Sequence, residues 1–293
     1  MHRRTLITAL ALSPLLAATR AFAATGSTPL SYDARGRPLA GVRINDAATF
    51  PLVIDTAAGG TLLSTATIGA LALQPTGRRA RMQGASGAVE ADLYNLDSVE
   101  IAGVRRRDLI AVQTPDNSAS AAEHAGVLGA GVFAGARLRF DFAGGQLVVD
   151  AAPNRAPLAG AIDVNFRRIF AFAPVRIGGV DATAVIDTGA RRTVGNAGLR
   201  QALGFADNDP RLREAEAVGG ATADRTPAVA AEVTPLVFAG HDYGALDLAF
   251  SDLPVFAPLQ LTGRPAVILG MDVFRRADAL TLDYTSNQVA LSP

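Results

Sequence analysis

Apolar residues along this chain come in short runs, alternating or continuous, broken by Gly, Asn, Asp and Pro. That is the pattern of strands joined by tight turns. Leu138, Phe140 and Phe142 share one face of such a strand, with Arg139 and Asp141 on the other. Gly178-Gly179 and Ala143-Gly144-Gly145 mark turns between strands. Helical periodicity is confined to Thr65 to Leu71, Ala197 to Leu203 and one turn after Gly270. Thr114 to Ala125 is polar and rich in small residues, which predicts a mobile surface loop.

The start of the chain follows a different pattern. His2-Arg3-Arg4 precedes a nearly continuous apolar run from Leu6 to Ala18, and Ala21-Phe22-Ala23 supplies small residues at a cleavage site. This predicts a signal peptide over residues 1–23, and Arg3-Arg4 with the following Thr5-Leu6-Ile7 also resembles a twin-arginine signal. No later segment approaches ~18 uninterrupted apolar residues. The expectation is an exported product, periplasmic or secreted, with no stable membrane anchor.

The remainder repeats itself. Val42-Arg43-Ile44 precedes Leu52-Val53-Ile54-Asp55-Thr56-Ala57-Ala58, with Thr61 beyond it. Val175-Arg176-Ile177 likewise precedes Ala184-Val185-Ile186-Asp187-Thr188-Gly189-Ala190, with Thr193 beyond. Gly126-Val127-Leu128-Gly129 matches Val267-Ile268-Leu269-Gly270, and Leu138 to Val149 matches Leu280 to Leu291 as a closing strand pair. The offset is 132 from Asp55 to Asp187, 141 from Gly129 to Gly270 and 142 from Asp141 to Asp283. Four blocks in one order describe a duplication: one lobe over 28–150, a Pro-containing linker over 151–162 and a second lobe over 163–293.

Composition narrows the chemistry. The 27 basic and 27 acidic residues cancel, which gives no footing for nucleic acid or for a strongly charged substrate. Every basic residue is Arg. Cys is absent, so disulfides, thiolate nucleophiles and cysteine metal sites are excluded, and a core must hold the fold unaided. The three histidines are His2, in the signal, His124, in the polar loop, and His241, beside a turn; the last two are expected at the surface. Asp207-Asn208-Asp209 lacks the glycine and terminal Glu of a calcium loop and is expected to be a turn. Gly84-Ala85-Ser86-Gly87 is no nucleophile elbow, because residue 88 is Ala. Gly129-Ala130-Gly131 with Gly135 evokes a dinucleotide loop, but its duplicate carries Met271-Asp272 instead of glycines.

What remains is the pair of apolar strands ending in Asp-Thr. A buried strand delivers a carboxylate to the centre of the molecule, and a small residue after it lets substrate or the partner loop approach. On Asp187-Thr188-Gly189-Ala190, Asp55-Thr56-Ala57-Ala58 and the paired apolar-apolar-Gly blocks, the chain resembles the aspartic peptidases, within them the bacterial retropepsin-like proteins with two lobes in one chain. The resemblance implies an all-β fold of two pseudo-symmetric β-barrel lobes around a central cleft. It implies an endopeptidase that takes a peptide or protein substrate, without metal or organic cofactor, working as a monomer. Asp55 and Asp187 would be the catalytic dyad, supported by Thr56, Ala57, Thr188 and Gly189. Two β-hairpin flaps would cover the cleft: Arg81 to Val89 around Gly84, Ala85, Ser86 and Gly87, and Ala217 to Ala223 with Gly219 and Gly220. The family also implies a preference for hydrophobic side chains. The departure is Ala57, where the family has Gly. If that position has φ > 0 the loop is strained, and a weakened or inactive dyad would leave a periplasmic binding or scaffold protein as the alternative.

Overall fold

The computed structural model describes residues 25–115, 124–152, 156–167 and 169–292. The segment 1–23, most of the loop expected at Thr114 to Ala125 and part of the 151–162 linker lie outside the described residues.

The protein is all-β, and the two halves repeat one strand plan. In the first, Pro38–Ile44 and Ala48–Asp55 form a hairpin; in the second, Phe170–Ile177 and Val180–Ile186 do. The second hairpin turns on Gly178 and Gly179, both left-handed (φ 55° and 81°), which glycine enters without a Cβ clash. Asn45 and Asp46 take the same backbone region in the first. The inner strand of each hairpin then pairs in parallel with the apolar-apolar-Gly strand. Val53 lies opposite Val127 and Asp55 opposite Gly129; Ile186 lies opposite Leu269. That strand pairs on its other edge, antiparallel, with Thr61–Leu63 in one half and Val194–Gly195 in the other. The inner strands are buried on both faces, which explains why they read as continuous apolar runs.

Short helices occupy Thr65–Ala70, Ala197–Ala202 and Met271–Phe274, close to expectation. Ser64 and Asn196 cap the first two, their side chains accepting from the N–H of Thr67 and Leu199. Asp207 to Asp209 is a turn, closed by Asp209 N–H donating to the Ala206 carbonyl.

The closing strand pairs do more than end each lobe. Arg137–Asp141 pairs antiparallel with Ala279–Asp283, Phe140 opposite Leu280, so the two halves share one sheet. Gln146–Asp150 and Gln288–Ser292 flank this centre; Ile162–Asp163 forms one edge, and Thr25–Tyr32 on the other side passes on to Pro38–Ile44 of the first lobe. Arg137 donates through Nε and Nη2 to the buried Asp283 carboxylate (2.9 and 2.8 Å), tying the lobes across the sheet. One apolar cluster runs from Leu30 through Leu138, Phe140 and Leu280 to Leu291, so the two lobes share part of their core.

Candidate active site

The parallel strand pairs deliver Asp55 and Asp187 to the floor of a cavity of about 340 Å³ between the lobes. The two loops lock together through their threonines, both almost completely buried. Thr56 N–H donates to Thr188 Oγ1 and Thr188 N–H to Thr56 Oγ1, each at 3.1 Å. Each hydroxyl then donates across the interface: Thr56 to the Ile186 carbonyl (2.8 Å), Thr188 to the Ile54 carbonyl (2.6 Å). Four reciprocal bonds in a buried setting fix the loops relative to each other, and losing either hydroxyl would orphan polar groups worth about 1–3 kcal/mol each.

The glycines of the paired apolar-apolar-Gly blocks sit beneath these loops. Ala130 N–H donates to the Ala58 carbonyl and Met271 N–H to the Ala190 carbonyl (3.0 and 2.9 Å). A Cβ on Gly129 would meet the Ala58 and Gly60 oxygens at 2.5 Å, and one on Gly270 the Ala190 oxygen at 2.9 Å. Only a residue without a side chain lets the loop backbone rest there.

The second loop has a brace that the sequence reading missed. Asp272 accepts from Thr193 N–H (2.9 Å) and Thr193 Oγ1 (2.7 Å), while Gly270 N–H donates to Thr193 Oγ1 (3.0 Å). Burial, the leading cause, raises the Asp272 pKa against these hydrogen bonds. At the corresponding place in the first half stands Gly131, so the duplication itself held the signal.

The two carboxyl groups both line this cavity, and each acts on the other's titration. Enclosure by protein raises both pKa values, and for Asp187 the charge of Asp55 raises it further, well above the ordinary carboxylate range. Opposing this, Ala57 N–H donates to Asp55 Oδ1 (2.8 Å), Ala190 N–H donates to Asp187 Oδ1 (3.0 Å), and the Arg37 charge favours ionised Asp55. Tyr284 lies near the pair; burial and then the Asp55 charge raise its pKa, and its hydroxyl has no hydrogen-bond partner among the described residues.

Ala57 and Gly189 differ in what surrounds them. Neither is left-handed, so φ is no reason for glycine at either position. A Cβ on Gly189 would lie 2.2 Å from Asp55 Oδ2. Ala57 instead packs against the second-lobe cluster that includes Phe172, Val185 and Ile268. Gly59 and Gly60 are not left-handed either.

Across the cavity from Asp55 and Asp187 two hairpins meet. Pro75–Gln83 with Ala88–Ile101 turns through Gly84, Ala85, Ser86 and Gly87; Arg213–Gly219 with Arg225–Val233 turns through Gly220 to Asp224. Ser86 Oγ donates to the Asp224 carbonyl (2.6 Å) and lies 3.4 Å from Thr222 Oγ1, all at the tips. Each tip crosses to the opposite lobe: Ala85 packs on the cluster of Val185, Val194 and Ile268, Ala221 on that of Val53, Leu62 and Val127. These two clusters are duplicates. His124, expected at the surface, is half-buried and lines the cavity because the chain re-enters the lobe at Gly126–Gly129; His241 is exposed.

The sequence pattern of a family described as aspartyl protease matches residues 40–132 and 173–273, more than half of the chain. The chain belongs to the aspartyl protease family. A comparison with curated proteins finds no match. The two matched segments coincide with the two copies of the strand plan, each holding one Asp-Thr loop and the glycine block beneath it. No described helix is long and apolar enough to cross a membrane.

Proposed function

We propose that this protein is an exported aspartic endopeptidase whose dyad is Asp55 and Asp187. The observation that carries the reading is the pair of aspartates that two threonine-locked loops bring to the floor of an interlobe cavity, both with raised pKa. Two carboxylates this close cannot both ionise cheaply, so the pair titrates as a unit and keeps one proton. The ionised member takes a proton from a water held between them, and the water oxygen attacks the scissile carbonyl carbon. The protonated member donates to the carbonyl oxygen, giving a tetrahedral diol. Proton return to the amide nitrogen then lets the C–N bond break. Each proton transfer is worth ~10²–10⁴-fold. The crossed hairpins act as flaps, and their tips must separate to admit a peptide.

The alternative, a binding or scaffold protein with a failed dyad, rested on strain at Ala57. The ordinary backbone of Ala57 and its packing against the second-lobe cluster remove that ground. Export rests on residues 1–23, and a mature protein beginning at Ala24 is the product to look for by N-terminal sequencing.

The purified mature protein is expected to cut an unfolded protein at acidic pH and to be blocked by pepstatin. Because the raised pair loses its shared proton as pH climbs, hydrolysis should fall on the alkaline side. Both half-sites lie in one chain, so specific activity should not change on dilution. Absence of pepstatin-sensitive cleavage across the acidic range, or activity that rises with protein concentration, would count against the reading.

A further inference from the structure

The duplication supplies an internal comparison for the cleft walls. After Asp55 the chain runs Ala57-Ala58-Gly59-Gly60, and after Asp187, at the same offset, Gly189-Ala190-Arg191-Arg192; both segments line the cavity. An added Cβ at Gly59 would meet only the Phe170 ring, at 3.7 Å, and one at Gly60 would point into open space. The loop after Asp55 therefore offers only small residues to the cleft, with Arg35 and Arg37 elsewhere on that wall, whereas the loop after Asp187 brings two arginines in succession.

Arg191 Nη2 reaches Glu216 Oε2 at 2.5 Å, and Arg225 Nη1 comes within 3.9 Å of Glu216 Oε1. Both arginines belong to the cavity lining, and each is about half exposed, at 48 and 49 %. Two guanidinium groups thus face one carboxylate, and the Arg35 charge from the first lobe adds to the positive potential at Glu216. Arg192 is accounted for elsewhere, donating to Asp247, which Arg213 also pairs. The zero net charge of the whole chain conceals this local surplus. A guanidinium presents five N–H donors in a plane and matches a carboxylate two bonds at a time, so a second carboxylate can join this cluster without displacing Glu216.

We propose that the Arg191–Arg225 wall of the cleft is a subsite for a substrate carboxylate, an Asp or Glu side chain of a bound peptide. This deepens the peptidase reading and rests on the cleft being a peptide site. It departs from the expectation of a preference for hydrophobic side chains.

The test is a set of amidated, otherwise apolar peptides in which one Glu is walked through every position, each matched with Gln. The ratio of kcat/KM between Glu and Gln peptides should reach about tenfold at a position on one side of the scissile bond, as a charge-assisted pair in a partly enclosed site allows. Arg191→Gln, or Arg225→Gln if the first does not fold, should bring that ratio towards one. Glu216→Gln should raise it, by releasing both arginines. Added salt should lower it, since the groups are half exposed. A free-acid version of each Gln peptide shows whether a terminal carboxylate serves instead, which would overturn the side-chain assignment. Binding of the same peptides to the Asp187→Asn protein, followed by fluorescence anisotropy, gives the ratio without turnover. A Glu preference in binding with no cleavage by the unmutated protein would keep the subsite and remove the peptidase. Ratios within about twofold at every position, or a preference indifferent to Arg191 and Arg225, would overturn the subsite.

Discussion

Asp187→Asn and Asp55→Asn are each expected to lower peptide hydrolysis by at least ~10²–10⁴-fold, because each removes one partner of a paired acid–base step. The loss should come without unfolding, and for Asp187 with the opposite sign in stability. Its folded-state pKa is raised by burial and by the Asp55 charge. A carboxyl with a raised folded pKa contributes stability fully below its ordinary value, about 3.9. That contribution is lost as pH climbs through the folded value. Above the ordinary carboxylate range the native protein thus bears the cost of either keeping Asp187 protonated or enclosing its charge, and an uncharged amide at this position removes that cost. The Asp187→Asn protein should melt higher than the native protein near neutral pH, and the difference should shrink towards about pH 3, where Asp187 is protonated in both states. Melting scans across pH beside single-turnover kinetics would check both halves. Full activity in either variant would sink the dyad, and a lower melting temperature at neutral pH would sink the account of Asp187.

The strand plan was legible because its determinants are local and were written twice. A run such as Leu52-Val53-Ile54 that is buried on both faces cannot be told from a buried helix by periodicity, but its copy at Ala184-Val185-Ile186 and the Asp-Thr that follows each resolve it. Turn residues likewise announced the hairpins, including the Gly178-Gly179 turn. What stayed hidden depends on contacts between the halves. The pairing of Arg137–Asp141 with Ala279–Asp283 joins strands about 140 residues apart, and no spacing within either copy encodes it. His124 was misjudged for a similar reason: a polar flank suggested solvent, whereas the pull of Gly126–Gly129 into the lobe sets its place at the cavity wall. Arg191 and Glu216 meet from a loop and a hairpin strand, a contact that only the fold reveals. The brace of Asp272 on Thr193 could have been found by asking where the copies differ, since Asp272 faces Gly131 in the alignment of halves.

The same comparison of copies sets the expectation for the loop residue after Asp-Thr. Gly189→Ala should cut turnover by on the order of 10²-fold, whereas Ala57→Gly should leave turnover nearly unchanged. The reason lies in space, since neither residue is left-handed. A methyl group at 189 would lie 2.2 Å from Asp55 Oδ2 and 2.4 Å from its Cγ, far inside contact distance. Thr56 and Thr188 clamp both loops, so the backbone has little freedom to yield. The group that moves is the Asp55 carboxyl, and displacing a reacting group by about 1 Å is worth ~10²-fold in rate. Ala57 presses on no such group; its methyl packs against the second-lobe cluster. Removing it loses a little apolar contact and widens the unfolded ensemble, a destabilisation of about 0.4–1 kcal/mol. Melting temperature should therefore fall slightly in Ala57→Gly with kcat intact, and kcat should fall steeply in Gly189→Ala. Equal kinetic effects from the two substitutions would mean that the loops are equivalent at this position, and the asymmetry between a glycine facing a carboxyl and an alanine facing the core would be wrong.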